Sequence, residues 1–183
     1  MAISNPLLTD YGCLRTTAVP ALLEAAGRNL QASQPGFWGF EIGKVFARDG
    51  EEFSEQERLC GVLAGERRQG LWSTSGQPSA LTYHQGRGVL ARAMAQLGLS
   101  LQDRRLKHDE RLHPGRSASL VLEGKVIGVF GELHPRLAEQ HDLPAGTLLF
   151  DLALQPVLTA ASRTNRYCPA FKAFATVPAS ERD

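Results

Sequence analysis

The chain has 183 residues, of which 43% are hydrophobic and 21% charged, a composition typical of a soluble globular protein with one domain or one domain plus a fragment. Its 20 basic and 19 acidic side chains give a net charge of +1, which argues against a surface dedicated to a polyanion. No apolar run approaches the roughly 18 residues of a membrane span. Three widely spaced cysteines without a CxxC pair favour a reducing compartment, by default the cytoplasm.

The first third of the sequence predicts a helix followed by a strand with two different faces. Residues 20–33, PALLEAAGRNLQAS, begin with a proline suited to a first helical turn and place their leucines on one stripe. In residues 37–50, FWGFEIGKVFARDG, bulky apolar side chains alternate with small residues around Glu41. The small-residue face is typical of packing or of a ligand platform, and packing is the simpler interpretation. Residues 58–67 predict the antiparallel partner, because the connection is too short for a parallel crossover.

The rest of the chain predicts further paired strands with helices beside them. Gly98 is the expected cap of a helix, and the turn at Glu123, Gly124 and Lys125 joins the clearest hairpin. The predicted segments are a loop over residues 72–80, a helix over 88–97, a variable stretch over 101–117, a hairpin over 118–130, a short proline-started helix within 131–143, a strand over 147–154 and a linker beyond Thr159. Together they define an α+β fold, an antiparallel β-sheet flanked by helices.

The residues alone do not define a reaction centre. The five histidines never fall at the spacing of three or four residues that places two imidazoles on one metal ion. They are His84, His108, His113, His134 and His141. Ser117 with His113 has the residue types of a nucleophile and its base, but no third group orients them, and a capping serine is the simpler interpretation. The GRGVLA segment at residues 86–91 matches a dinucleotide-binding pattern but lacks the preceding strand.

Basic side chains occur in small groups that are interrupted by acids. The groups lie at residues 67–68, 104–107 and 163–166. Because aromatic residues are not interleaved with them, solvated loop charge is a simpler interpretation than contact with phosphates.

Four segments, in their order and spacing, closely resemble the bacterial phenylalanyl-tRNA synthetase β chain. They are NPLLTDYGCLRTTAVPALLEAAGRNL, FEIGKVF, HPGRSA and GVFGELHPRL. The resemblance covers roughly residues 5–158 and implies a catalytic-like module over residues 1–160, with a fold similar to the class II aminoacyl-tRNA synthetase core. Residues 161–183 resemble a linker and the first strand of a truncated ferredoxin-like anticodon-recognition domain. Both ends of the chain are therefore expected to be cut from something longer.

The family's α chain has the working version of the same fold, and the resemblance implies where this chain differs. A strand of the type GRVYRRD in the α chain places an ATP-binding arginine where Ala47 stands here. Arg48, one residue further, lies on the opposite face of the strand. In the segment that matches FGMGLDRL, Asp151 and Ala153 replace glycines, and Pro156 replaces a second ATP-binding arginine. Ala47 and Pro156 thus occupy the positions of the two expected ATP-binding arginines.

The resemblance also implies that the amino acid pocket is lost. RLHPGRS at residues 111–117 matches an aromatic loop of the type FPFTEPS but lacks its stacking aromatics. The Asp151 carboxylate is expected to repel a triphosphate, by about 1 kcal/mol even when solvated. No catalytic, cofactor-binding or metal-binding residue is therefore expected in this chain, and ATP and Mg²⁺ are expected to serve the whole enzyme.

The function that the resemblance implies is that of a partner surface. The chain is interpreted as a non-catalytic module of phenylalanine-tRNA ligase that organises the interface with the α subunit in an (αβ)₂ assembly. Transfer RNA is expected to bind through the whole enzyme, and no membrane contact is expected. Two alternatives remain: an ATP-binding enzyme domain with a rearranged site that uses Arg15, Lys44 or Arg48, and a module that contacts tRNA through residues 104–116.

Overall fold

The structure, a computed structural model, describes residue 5 and residues 12–50, 52–67 and 79–162. Its helices are α1 (Val19–Gln31), α2 (Tyr83–Gln96), α3 (Pro135–Gln140) and α4 (Leu154–Ser162). Its strands are β1 (Gly36–Asp49), β2 (Glu52–Arg67), β3 (Ser79–Ala80), β4 (Gln102–Arg105), β5 (Leu112–Leu122), β6 (Lys125–Leu133) and β7 (Leu148–Ala153).

The strands form one sheet in the order β1-β2-β7-β6-β5-β4, with β3 paired to β2. These strand pairs are all antiparallel. The α+β fold predicted from the sequence, an antiparallel sheet with helices, is therefore confirmed. The order brings β7 into the middle of the sheet, beside β2, although about 80 residues separate the two strands in the sequence.

Helices cover both faces of the sheet and form two apolar cores. Phe130 and Val157 belong to the core beneath α2 and α4, whereas Leu23 belongs to the core beneath α1 and α3. Leu148 and Leu149, which are adjacent in β7, lie in different cores because successive side chains of a strand point to opposite faces. Within the described residues, no helix is long and apolar enough to cross a membrane.

Local signals explain several element ends. Pro20 lies in the first turn of α1, as predicted, because a proline there loses no helical hydrogen bond. Thr82 and Gln85 form a reciprocal capping box that starts α2 five residues before the predicted helix. Glu123 and Gly124 have φ angles of 49° and 81°, the left-handed pair that a two-residue hairpin turn requires. The predicted hairpin is confirmed, except that Lys125, predicted in its turn, is the first residue of β6.

Other sequence expectations need correction. The variable stretch contains β4 and the start of β5, and β2 begins at Glu52, six residues earlier than predicted. Residues 160–162, predicted as the beginning of a linker, are the last turn of α4. The predicted loop ends in β3, and its residues 72–78 lie outside the described part of the chain, as do the predicted linker and strand beyond residue 162.

The two faces of β1 have different environments. Trp38, Phe40 and Ile42 are 42%, 69% and 55% exposed, so the bulky face is open to solvent near this edge of the sheet. On the small-residue face the Phe37 ring lies over Gly39, whereas Ala47 is exposed. Packing, the simpler sequence interpretation, therefore accounts for the small residue at position 39.

Candidate functional site

A small cleft of about 210 Å³ lies at the ends of β1, β2 and β7. Its lining residues are Thr16, Thr17, Val45, Ala47, Ser54, Gln56, Arg58, Arg111 and Asp151. The cleft brings together Ala47 and Asp151, two of the positions selected by the family resemblance. Pro156 is not among its lining residues: it is exposed in the first turn of α4, which packs on the other face of the sheet.

Asp151 is 6% exposed and is held by two arginines. Its Oδ1 accepts a hydrogen bond from Arg58 Nε at 2.8 Å, and its Oδ2 accepts one from Arg111 Nη1 at 2.8 Å. Arg111 also donates from Nε and Nη2 to the two carboxylate oxygens of Asp109, at 3.0 and 2.8 Å. The result is a chain of ion pairs, Arg58-Asp151-Arg111-Asp109, which we call the ion-pair cluster.

The electrostatics of the ion-pair cluster favour two charged carboxylates. Burial raises the pKa of Asp151, but the hydrogen bond from Arg111 and the charge of Arg58 outweigh it and hold this pKa below its ordinary value. At Asp109 burial is likewise outweighed by the Arg111 hydrogen bonds, and the pKa is lowered. The hydrogen bonds to Asp109 in turn raise the pKa of Arg111. The cluster therefore contains two positive and two negative charges at neutral pH.

Cys60 lies against the cluster as a protonated thiol. Its Sγ donates to Asp151 Oδ1 at 3.2 Å. Burial, followed by the nearby Asp151 charge, raises the pKa of this thiol to about 12. Because the thiolate is the nucleophile, Cys60 functions here as a hydrogen-bond donor to the carboxylate.

The three cations proposed for a rearranged ATP site are each engaged by the protein. Arg15 pairs with Glu41 and also donates to the Lys44 carbonyl oxygen. Lys44 pairs with Glu55 across the β1-β2 hairpin. Arg48 Nε donates to the Gly50 carbonyl oxygen at 2.7 Å, and its side chain lies over the Phe53 ring.

A larger cleft of about 880 Å³ lies between the β4-β5 connection and α3. Its lining includes Leu106, Leu112 and Leu137 but, within the described residues, no Phe, Tyr or Trp side chain. Arg111 lines both clefts, so the ion-pair cluster lies where they meet. His134, another lining residue, caps α3 by accepting from the Arg136 N–H.

The structure does not join Ser117 and His113 into a catalytic pair. His113 Nδ1 accepts from the Gly115 N–H at 3.0 Å, within an irregular segment of β5. Ser117 is paired with Gly131 of β6. Among the described residues, no group of three or more His, Cys, Asp or Glu side chains is arranged to bind a metal ion.

Sequence patterns do not identify Arg58, Asp109 or Cys60 as site residues. One signal in the sequence indicates that Asp151 has charged partners: it is the one charged residue in the apolar strand TLLFDLAL. A carboxylate buried in a central strand needs charged partners. The sequence cannot show which of its 20 basic side chains supply them.

The fold is similar to that of a solved structure described as Desulfitobacterium hafniense PylSc, a pyrrolysyl tRNA synthetase. The TM-score is 0.55, and the match covers 83% of this chain and 51% of that chain. The two sequences are 16% identical, so the similarity concerns the fold. The chain therefore shares its fold with a tRNA synthetase.

The chain belongs to the phenylalanyl tRNA synthetase beta chain CLM domain family, which it matches over residues 1–154. It is 53% identical to the phenylalanine-tRNA ligase beta subunit of a Synechococcus species over 183 residues, and 51% identical to that of Parasynechococcus marenigrum. The identity to the Trichormus variabilis protein is 37%. The alignments cover 100% of this chain but only 22–23% of those proteins. The family resemblance seen in the sequence is confirmed.

Proposed function

We propose that this chain is the catalytic-like module of the β subunit of phenylalanine-tRNA ligase, built on a class II aminoacyl-tRNA synthetase core, and that the module is itself non-catalytic. Its family membership supports the subunit assignment. The observation that best supports the non-catalytic role is the ion-pair cluster, in which Asp151 engages both Arg58 and Arg111.

The charges of the cluster leave little attraction for a nucleotide. A triphosphate binds where cations are available to its oxygens. Arg58 and Arg111 are compensated by Asp109 and Asp151, and Ala47 adds no charge to the same cleft. The cluster thus supplies no net positive charge to an incoming phosphate.

The size of the small cleft supports the same conclusion. Ligand pockets commonly enclose about 300–1,000 Å³, whereas this cleft measures about 210 Å³. The larger cleft has the volume for a ligand. Within the described part of the chain, however, its lining lacks the aromatic side chains that a phenylalanine pocket of this family would need.

For the whole enzyme, we propose the activity that the names of the relatives describe, the attachment of phenylalanine to its tRNA. ATP and Mg²⁺ would serve that reaction at the α subunit, and the module would organise the α/β interface of an (αβ)₂ assembly. Transfer RNA would bind through the whole enzyme.

The two alternative functions have less support. A rearranged ATP site would need Arg15, Lys44 or Arg48, and each of these is held by a carboxylate, a carbonyl oxygen or an aromatic ring. In the segment proposed to contact tRNA, Arg104 and Arg105 are exposed on β4, but Arg111 is bound within the ion-pair cluster and Arg116 pairs with Glu132.

Calorimetric titration of this chain with ATP and Mg²⁺ tests the non-catalytic role. We expect no binding heat at millimolar ATP, and a dissociation constant below about 1 mM would contradict the proposal. The complete α/β enzyme, titrated in parallel, is the positive control.

Co-expression with an α subunit tests the partner role. The complete β subunit should co-purify with the α subunit and give aminoacylation activity. A β subunit that lacks residues 12–162 should lose both, and retention of a full-activity complex without these residues would contradict the proposal.

A further inference from the structure

We propose that the small cleft contains an anion-binding site that the protein closes with its own Asp151 side chain. The carboxylate occupies the place between Arg58 and Arg111 where a phosphate or carboxylate group of a ligand would be held. This inference rests on the proposed non-catalytic function and deepens it. The Asp151 carboxylate would exclude a ligand by occupying the anion position itself, and not only by repelling a triphosphate.

The geometry around Asp151 is that of a bound oxyanion. Arg58 approaches Oδ1 through Nε at 2.8 Å and through Nη2 at 2.7 Å. Arg111 approaches Oδ2 through Nη1 at 2.8 Å. Charge-assisted hydrogen bonds of this length from planar guanidinium groups are the usual protein recognition of carboxylate and phosphate.

The two arginines do not depend equally on Asp151. Arg111 has two further hydrogen bonds to Asp109, which hold its guanidinium group in place. For Arg58, Asp151 is the charged partner seen in the described part of the chain. Removal of the Asp151 charge therefore leaves a local charge of +1, centred on Arg58 and beside a preoriented Arg111.

The cleft offers space and further donors next to the arginines. The hydroxyl-bearing residues Thr16, Thr17 and Ser54 and the amide-bearing Gln56 line it together with Arg58. Its volume of about 210 Å³ is below the usual range for ligands of nucleotide size. It is nevertheless several times the volume of about 30 Å³ that one water molecule occupies in the liquid. A small oxyanion such as inorganic phosphate is thus the ligand class that fits.

Thermal unfolding of Asp151→Ser in phosphate and in chloride, at matched ionic strength, tests the proposal. Serine opens the position and removes its charge. A ligand that binds the folded state alone raises Tm, by about 3–4 °C for a chain of this size at ten times its dissociation constant. Phosphate also stabilises proteins that have no binding site for it. The measured quantity is therefore the Tm in phosphate minus the Tm in chloride, compared between the variant and the wild type.

The matched control is Asp151→Ser combined with Arg58→Gln, which removes the freed cation. We expect a phosphate-specific rise in Tm for the single variant and its loss in the double variant. The proposal would be overturned if the phosphate-minus-chloride difference in Tm were equal in the wild type and in Asp151→Ser. It would also be overturned if the rise in Tm persisted in the double variant, which lacks Arg58.

Poor folding of the single variant does not prevent the test. Folding of Asp151→Ser in phosphate but not in chloride supports the proposal, whereas failure to fold in both contradicts it. The proposed non-catalytic function fails on a different result, the binding of ATP by the wild-type chain, so the two failures are distinguishable.

Discussion

Nη1 of Arg111 lies 2.8 Å from Oδ2 of Asp151, although the two residues are 40 positions apart in the sequence. Arg111 precedes β5, and Asp151 is in β7, which is separated from β5 by β6. The ion pair therefore spans two strand spacings and ties the β4-β5 connection to the middle of the sheet. It also places a guanidinium group at the junction of the two clefts.

Replacement of Arg111 by alanine is expected to destabilise the protein by about 3 kcal/mol, because loss of one partner of a buried ion pair leaves an uncompensated charge. Urea denaturation of wild type and variant measures the change. Lys44→Ala is the control, since Lys44 and Glu55 form an ion pair in which each side chain is about half exposed, and surface pairs contribute little to stability. Equal losses in the two variants would contradict this role of Arg111.

The stability of the folded state should fall in acid through the cluster carboxylates. The pKa values of Asp109 and Asp151 are lower in the folded state than their ordinary values. Their stabilisation is therefore present above the unfolded pKa of about 4 and is lost as the pH falls through the lower folded values. Urea unfolding between pH 6 and pH 2.5 should show a steeper decline below pH 4 for the wild type than for Asp151→Asn. Parallel curves would exclude a contribution from Asp151.

The two described cysteines should differ in reactivity. Cys13 is exposed, whereas Cys60 is buried, with a pKa raised to about 12. In a Cys168→Ser background at pH 8, iodoacetamide should modify Cys13 and leave Cys60 unmodified, because almost no thiolate forms there. Peptide mapping reads the sites, and modification of both thiols in urea is the control. Rapid native labelling of Cys60 would show that the cluster opens readily.

Introduction of one arginine should not create a nucleotide-binding site. Ala47→Arg adds a cation to the small cleft, but Asp151 still neutralises the neighbouring arginines and the cleft volume stays small. We expect calorimetry with ATP and Mg²⁺ to give no binding heat at millimolar ATP, with Ala47→Gln as the size-matched control. Submillimolar binding by Ala47→Arg alone would refute the expectation.

Local patterns in the sequence were sufficient to predict much of the fold. Pro20, the Glu123-Gly124 turn and the alternation of β1 each act over a few residues, and the structure contains the corresponding elements. The amphipathic pattern places the start of α2 five residues too late because it is weak in the first turn, where the capping box of Thr82 and Gln85 is the signal instead.

The site was less predictable because its contacts join distant parts of the chain. The family motifs selected Ala47 and Asp151, and both line the small cleft. The same motifs selected Pro156, but α4 turns away to the other face of the sheet. The partners Arg58 and Arg111 depend on the strand order β2-β7-β6-β5, which no short segment of sequence encodes.

The neutral ion-pair cluster also limits how the sequence can change. Any single substitution that removes one of its four charged groups leaves this partly buried cluster with an uncompensated charge, which destabilises the folded state. Nucleotide binding in the small cleft would need a new cation, a smaller residue at position 151 and a larger volume together. We therefore expect the four residues of the cluster to change together rather than one at a time.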